Sequence, residues 1–277
     1  MTICKLCKKN ITLLKKSHII PDFYYRECKL YNDDHQLKLM KADAPTRKFE
    51  QFKNLNSGIY DKNILCSSCD NELLGQLESY LRPFFFGGPI GTVGNPNFKH
   101  YIDTNKRKFV QVTNISYTKA KLGLLSILWR ASISKNDFFA SVKLDSEIEE
   151  ELRFMLLNKE PKEIHKFPIV CLSILGQHES FLQVIAAPRK LNDKHGSGFI
   201  FLLGGIFILF YISHKFTDEE LERNSLSPQN KMTIVEIDDG DGLGWILSYF
   251  GLKSTKGQRT ITRLKFNPIR RKRRITY

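Results

Sequence analysis

Four cysteines are spaced so that together they could hold one metal ion. They form two Cys-x-x-Cys pairs, Cys4 with Cys7 and Cys66 with Cys69. Each pair can present two thiolates from one tight turn, and four thiolates are a common ligand set for tetrahedral zinc. Since thiolates would fill all four positions, the sequence predicts a structural zinc site with no open position for a substrate.

A histidine and an aspartate beside these pairs could carry out hydrolysis. His18 lies in KKSHIIPDFYYR, residues 15–26, and histidine can accept a proton from water near neutral pH. Asp70 directly follows the second pair and offers the hard oxygen ligand that Mg²⁺ or Mn²⁺ prefers. Phosphodiester hydrolysis needs such a base and such a cation. The residue types alone leave three roles open for His18, which are general base, zinc ligand and core residue.

The order of these parts resembles the zinc-bearing variants of the HNH, or ββα-metal, endonuclease family. The matching parts are a Cys-x-x-Cys pair, a basic loop, Ser-His-Ile-Ile-Pro at 17–21, a long insertion, and Leu-Cys-x-x-Cys at 65–69 with a polar residue after it. The resemblance extends over about the first 80 residues. It implies that His18 is the general base and that Asp70, at the start of a helix, holds the catalytic divalent ion.

Some positions differ from the pattern of that family. Ser17 stands where many members have Asp, and Asp70 stands where the usual residue is His. Asn63 is the candidate for the middle Asn of the motif, although Asp61 falls at the usual spacing. Glu78 lies about two turns beyond Asp70 on the same predicted helix, where we expect a solvated helix face, with a role in the site as the alternative.

The charge distribution suggests a polyanionic partner. The net charge is +14, and the stretch from residue 242 to 277 has ten Lys or Arg and no acidic residue. A basic end of this kind is typical of nucleic-acid binding, and a solvated tail is the alternative. The predicted phosphate-binding residues are Lys8, Lys9, Lys15, Lys16, Arg270, Arg271, Lys272, Arg273 and Arg274.

The apolar segments favour a protein that stays in the cytoplasm. The N-terminus MTICKLCKKN has no apolar core of the kind that a secretory signal needs. The run from Phe199 to Ile212 is too short for a membrane span, and Gly204-Gly205 predicts two buried strands joined by a tight turn. In a reducing compartment a disulfide framework is not expected, so Cys28 and Cys171 are predicted to be small buried residues.

The elements that must position these residues predict an α+β fold. A small zinc-bound, HNH-like ββα-metal domain covers residues 1–82, and a Gly/Pro-rich connection covers 83–97. An α+β domain of unknown role, with an antiparallel or mixed sheet, covers 98–267 before the basic tail at 268–277. Its predicted helices are 117–134 and 145–159, the second starting with a capping box of Ser146 and Glu149, and its predicted strands are 167–175, 180–187, 199–203, 206–212 and 232–237.

These observations predict a metal-dependent endonuclease, with structural zinc, catalytic Mg²⁺ or Mn²⁺, and DNA as the expected substrate. One alternative is a zinc-dependent nucleic-acid-binding protein with a degenerate HNH site, which Ser17 favours. Another is a defence or toxin-like effector nuclease, regulated by a protein or small ligand of the second domain. That domain resembles the C-terminal part of uncharacterised bacterial proteins that carry the same N-terminal module, which implies a shared architecture only.

Overall fold

The computed structural model of the chain describes residues 2–31, 37–42, 49–87, 95–104, 106–176, 179–214, 219–237 and 241–250. Its N-terminal part contains short antiparallel strand pairs, in which the first strand pairs with the second, the third with the sixth and the fourth with the fifth. These strands are β1 (Thr2–Ile3), β2 (Asn10–Ile11), β3 (Ser17–His18), β4 (Leu37–Ala42), β5 (Phe49–Leu55) and β6 (Tyr60–Asp61).

A seven-stranded mixed sheet follows, in the order β10-β11-β12-β9-β13-β8-β7. Its strands are β7 (Asn97–Ile102), β8 (Lys108–Thr113), β9 (Ile169–Ser173), β10 (Ile185–Asn192), β11 (Gly196–Leu203), β12 (Ile206–His214) and β13 (Met232–Glu236). The pairing of β9 with β13 is parallel, and the other pairings are antiparallel. The predicted α+β class with a mixed sheet is therefore confirmed.

Helices pack on both faces of this sheet. The α-helices are α1 (Asp22–Glu27), α2 (Gly75–Phe86), α3 (Tyr117–Ile133), α4 (Ser146–Asn158), α5 (Glu219–Asn224) and α6 (Asp241–Tyr249). Helices α2, α3 and α4 lie in the main core and connect the sheet to the N-terminal part, whereas α5 and α6 pack against a second apolar cluster on the other face. A π-helical segment, Ser68–Leu74, leads directly into α2. Helix α3 is buried along most of its length and packs against α2 and α4. The approach to α2 is close, because a Cβ at Gly123 would lie 2.8 Å from Cγ of the buried Leu81.

The strongly apolar run at 199–212 forms two strands that are buried on both faces. Phe199, Phe201 and Leu203 face the main core, whereas Ile200 and Leu202 face the second apolar cluster. This alternation explains why the run is almost continuously apolar. The predicted tight turn is confirmed, since Gly204 and Gly205 both have positive φ, 61° and 79°. Within the described residues, no helix has the length and apolar character that a membrane crossing requires.

The N-terminal part and the larger α+β part share one core. The main cluster of buried side chains runs from Cys4 and Ile19 through α2, α3 and α4 to the sheet. Helix α2 continues across the predicted boundary at residue 82, with Pro83 inside it, and ends at Gly87. The helix therefore overlaps the first residues of the Gly/Pro-rich connection predicted at 83–97, and residues 88–94 lie outside the described residues.

Two local predictions in the larger part are wrong. Residues 179–183 form a 3₁₀ turn, so the strand predicted at 180–187 starts only at Ile185. The capping box of Ser146 and Glu149 does not form, because Ser146 is already helical and Asp145 is the extended residue before the helix. Asp and Ser are both good N-cap residues. Since Asp145 and Ser146 are adjacent, the sequence alone leaves the start of this helix ambiguous by one position.

Candidate functional site

Two backbone turns present the four cysteines. The first turn joins β1 to β2, where the Cys4 N–H donates to the Lys9 carbonyl and Lys8 has φ 60°. The second turn opens the π-helical segment, where the Asp70 N–H donates to the Cys66 carbonyl. Backbone hydrogen bonds from Lys5 to Ile64 (2.9 Å) and from Leu14 to Leu65 (2.8 Å) join the two turns. The two pairs are thereby brought together from opposite ends of the N-terminal part.

The four thiols, Cys4, Cys7, Cys66 and Cys69, form a cluster that could hold a metal such as zinc. Their sulfur atoms all lie within 4.8 Å of one another, and the Sγ atoms of Cys7 and Cys66 are 3.9 Å apart. Tetrahedral zinc with Zn–S bonds of about 2.3 Å needs sulfur atoms about 3.8 Å apart. The donor set and its spacing therefore fit such an ion.

The surroundings of Cys4 favour the thiolate form that binds metal. Burial raises the pKa of its thiol, but the backbone N–H groups of Cys7, Cys66 and Leu6 outweigh this effect and lower the pKa overall. The Cys66 N–H lies 3.4 Å from Cys4 Sγ. The unpaired Cys28 and Cys171 are fully buried as predicted, and burial raises the pKa of the Cys28 thiol to about 12.

His18 projects from a two-stranded pair in which Ser17 is buried and the other residues are half-buried. It lies opposite Tyr60, and Ser17 lies opposite Asp61. Ile19 and Ile20, which follow His18, are fully buried, while 28% of the His18 side chain is exposed. The Tyr60 ring meets the imidazole edge to face at 6.2 Å between centroids. His18 is thus a partly exposed residue on a rigid support, and it is not part of the cysteine cluster.

The burial of His18 favours a neutral imidazole. Burial lowers its pKa; Asp22 and Glu78 oppose this shift, and Arg130 and Lys16 add to it. The Nε2 atom is buried and has no hydrogen-bond partner among the described residues, and Asp22 Oδ1 is 4.0 Å away. A neutral imidazole can accept a proton.

Asp22 is a neighbour of His18 that the sequence did not single out. Its carboxylate accepts a hydrogen bond from the Tyr31 hydroxyl at 2.8 Å and pairs with Arg26. The Tyr31 oxygen in turn accepts the Gly58 N–H at 2.8 Å. The only signal for Asp22 in the sequence is its position four residues after His18, at the start of α1. These interactions fix a carboxylate beside the imidazole.

Asp70 lies in the π-helical segment, in a partly buried and charged environment. Burial raises the pKa of its carboxyl to about 6; Arg130 opposes this shift, Glu78 adds to it, and the Ser17 hydroxyl opposes it. Ser17 is fully buried, and its Oγ has no hydrogen-bond partner among the residues that the structure describes. The polar environment of Asp70 therefore includes the residue directly before His18.

Glu78 and Arg130 connect the surroundings of His18 and Asp70. The expectation that Glu78 lies on a solvated helix face is wrong, because Glu78 Oε1 pairs with Arg130 Nη1 at 2.6 Å. Arg130 Nη1 also donates to the His18 carbonyl oxygen at 2.7 Å, and both charges shift the pKa of His18 and the pKa of Asp70. The sequence gives no sign of this pair, since its partners are 52 residues apart.

The π-helical segment helps to bring Glu78 and Asp70 to the same side. In a regular α-helix, residues eight apart point about 80° away from each other. A π-turn has hydrogen bonds that span five residues and takes more residues per turn. This winding is present here, since the Gly75 N–H donates to the Asp70 carbonyl. The wider turn reduces the angular offset between Asp70 and Glu78.

Asn63, the predicted middle residue of the motif, is not beside His18. Its side chain is exposed, its φ is 56°, and its N–H donates to the Leu14 carbonyl. This hydrogen bond places Asn63 opposite Leu14, beyond the end of the β3–β6 pair that is farther from His18. Asp61 lies closer, directly opposite Ser17, and its Oδ2 accepts the Lys135 N–H at 2.9 Å.

The predicted phosphate-binding residues fall into two groups. Lys8, Lys9, Lys15 and Lys16 are all exposed in the N-terminal part. Lys16 Nζ lies 5.1 Å from the centroid of the Tyr60 ring that contacts His18, and Lys8 pairs with Glu150 at 3.9 Å. The other predicted residues, Arg270, Arg271, Lys272, Arg273 and Arg274, lie outside the described residues.

Comparison with known proteins identifies no family for this chain. No protein-family model, curated protein or solved structure matches it. The functional argument therefore depends on the arrangement of the side chains. That arrangement combines a four-thiol cluster with a histidine and an aspartate near the same Arg130–Glu78 ion pair.

Proposed function

We propose that this protein is a metal-dependent endonuclease of the HNH type. His18 is the general base, Asp70 is a ligand of the catalytic Mg²⁺ or Mn²⁺, and the cysteine cluster holds a structural zinc ion. The observation that carries the proposal is that Arg130 Nη1 donates both to the His18 carbonyl oxygen at 2.7 Å and to Glu78 Oε1 at 2.6 Å. Glu78 follows Asp70 on the same continuous helical run. This arrangement supports a single site that combines a base with a hard oxygen ligand. The strand pair β3–β6 followed by the helix that carries Asp70 also has the order that the family resemblance implies.

In this proposal the residues divide the work of hydrolysis. His18 accepts the proton of the attacking water, and its lowered pKa keeps the imidazole neutral and ready to do so. Asp22 Oδ1 lies 4.0 Å from Nε2, and its negative charge favours the imidazolium that forms when the proton is taken up. Asp70 and the nearby Glu78 supply carboxylate oxygens, which suit a hard divalent ion. When bound, such an ion stabilises negative charge on the phosphate and on the leaving oxygen.

The substrate is a nucleic acid, with DNA as the expected form. Lys9, Lys15 and Lys16 are exposed in the same part of the molecule as His18 and can contact phosphates. Contacts of this type make binding sensitive to salt and largely independent of base sequence. The basic residues from 270 to 274 would add to this effect.

A cleavage assay with matched histidine variants tests the proposal. Supercoiled plasmid and RNA are incubated with the protein in Mg²⁺, Mn²⁺ or EDTA, and zinc content is measured in the same samples. We expect metal-dependent nicking of the plasmid by the wild-type protein. His18→Ala should lower the rate by about 100-fold or more, as loss of a general base does, with zinc content and melting temperature nearly unchanged. His100→Ala, which alters an exposed histidine on β7, is the control and should cut normally.

The other outcomes separate the alternatives. Asp70→Ala should abolish cleavage and be partly rescued by excess Mn²⁺, which should not rescue His18→Ala. If folded, zinc-loaded His18→Ala cuts at the wild-type rate, His18 is not the base. Tight binding without cleavage in any metal would instead favour the binding protein with a degenerate site. The buried Ser17, in the place of an acidic ligand, is the observation behind that alternative.

A further inference from the structure

Arg130 is a buried cation that reaches from the larger part of the chain into the candidate site. It lies near the end of α3, and only 1% of its side chain is exposed. Its Nη1 donates to the His18 carbonyl oxygen at 2.7 Å and to Glu78 Oε1 at 2.6 Å. One nitrogen thus contacts the backbone of the proposed base and the side chain of a nearby carboxylate.

The remaining nitrogens of Arg130 hold the guanidinium in place. Nε donates to the Ser126 carbonyl at 3.3 Å, and Nη2 donates to Ser126 Oγ at 3.4 Å. Moving a charge out of water costs several kcal/mol unless the charge is paired and hydrogen bonded. Any rotation of the Arg130 guanidinium would break hydrogen bonds from its three nitrogens, so the group is held in one orientation. The planar guanidinium allows this set of hydrogen bonds, which a lysine ammonium cannot reproduce.

We propose that Arg130 is a positioning residue, which fixes the His18 backbone and the Glu78 carboxylate relative to each other. It does not touch the reacting atoms. The expected effect of Arg130 on the rate rests on the proposed nuclease function. His18 must be the general base for its placement to limit the rate. A small displacement of a catalytic group can lower the rate by about 100-fold, which sets the scale of the effect.

Arg153 provides a matched comparison within the same pair of helices. It lies on α4, is also buried, and donates from Nη1 to the Leu6 carbonyl next to the cysteine cluster. It pairs with Glu150 as Arg130 pairs with Glu78. Arg153 therefore has the same chemistry and a similar environment but contacts neither His18 nor Glu78.

The test compares Arg130→Lys with Arg153→Lys. Lysine keeps the positive charge next to each glutamate and loses the planar set of donors. We expect Arg130→Lys to lower kcat by about 10-fold to 100-fold with little change in KM, as for a loss of alignment. Arg153→Lys should keep the wild-type kcat per zinc-loaded molecule. A structural role alone would give both variants lower stability and equal kcat.

A second measurement follows His18 directly and does not need cleavage. The NMR signal of the His18 ring, assigned by its loss in His18→Ala, should shift or broaden in Arg130→Lys and stay unchanged in Arg153→Lys. If Arg130→Lys does not fold, the double variant Arg130→Gln with Glu78→Gln removes both charges and leaves no unpaired carboxylate. Because Glu78 is itself a proposed source of carboxylate oxygen for the metal, the kcat of this variant does not isolate the effect of Arg130. We expect the same altered His18 signal.

A folded Arg130 variant with wild-type kcat, or with an unchanged His18 signal, would overturn the proposal. If the wild-type protein cuts no substrate in any metal, the nuclease function fails, and the NMR signal alone then decides the positioning role. An altered signal would support that role, and an unchanged one would refute it.

Discussion

Replacing Lys121 by Met should change how the stability of the protein depends on pH. Lys121 is 1% exposed on α3, and its Nζ donates to the Tyr117 hydroxyl at 2.8 Å and to the Glu163 carbonyl at 2.5 Å. Burial lowers the pKa of the Lys121 amine to about 7, although the Glu163 carboxylate opposes this shift. Methionine has a similar shape and does not titrate.

The direction and size of the effect follow from proton linkage. An unfolded lysine has a pKa near 10.4, so between pH 7 and pH 10 the unfolded chain holds a proton that the folded chain lacks. Stability must then rise with pH, by up to about 1.4 kcal/mol per pH unit. From pH 7.5 to pH 9.5 the wild-type protein should gain about 2 kcal/mol relative to Lys121→Met. Below pH 7 the difference between the two proteins should level off.

Urea unfolding at pH 6.5, 7.5, 8.5 and 9.5, with zinc-loaded samples of both proteins, measures this difference. Other groups titrate alike in the two proteins, so their contributions cancel when the free energies are subtracted. The part of this free-energy difference that does not change with pH reflects the hydrogen bonds and packing that the substitution removes. The part that changes with pH reflects the titration of Lys121. Unfolding free energies that run parallel with pH in the two proteins would show that Lys121 does not titrate near neutral pH.

The other predictions concern the cysteine cluster and the basic tail. Cys66→Ser should lose zinc and unfold the N-terminal part, because sites of this type contribute on the order of 10 kcal/mol to folding. Cys28→Ala, outside the cluster, should keep its zinc, and wild-type protein that contains no zinc by elemental analysis would contradict the assignment. Deleting residues 268–277 should flatten the dependence of log Kd on log salt, by about 0.9 for each phosphate that the tail neutralises. An unchanged slope would identify the tail as a solvated end.

Features set by local chemistry could be predicted from the sequence. The Cys-x-x-Cys spacing predicts two sulfur atoms on one turn, and the structure brings both turns together. Gly204-Gly205 predicts a tight turn because glycine adopts positive φ without strain. The burial of Ile19 and Ile20 follows from their apolar side chains.

Features set by tertiary packing could not be predicted in this way. Arg130 meets His18 across 112 residues of sequence, and neither residue carries a local sign of the other. Pro83 normally marks the end of a helix, at a cost of about 3 kcal/mol inside one. Here Leu81 and Phe84 are buried on either side of it, and this burial favours continuing the helix into the shared core.

The shared core also limits how this protein can change by recombination. A gene segment that encoded only residues 1–82 would lose the last turn of α2, and Leu81 would lose the close packing against Gly123. The His18 carbonyl would lose its guanidinium donor, and the Leu6 carbonyl would lose that of Arg153. A crossover that moved the cysteine cluster and His18 into another protein would therefore have to carry α3 and α4 with them. The segment that must be transferred together for this site to remain intact is therefore longer than the segment that contains its sequence motif.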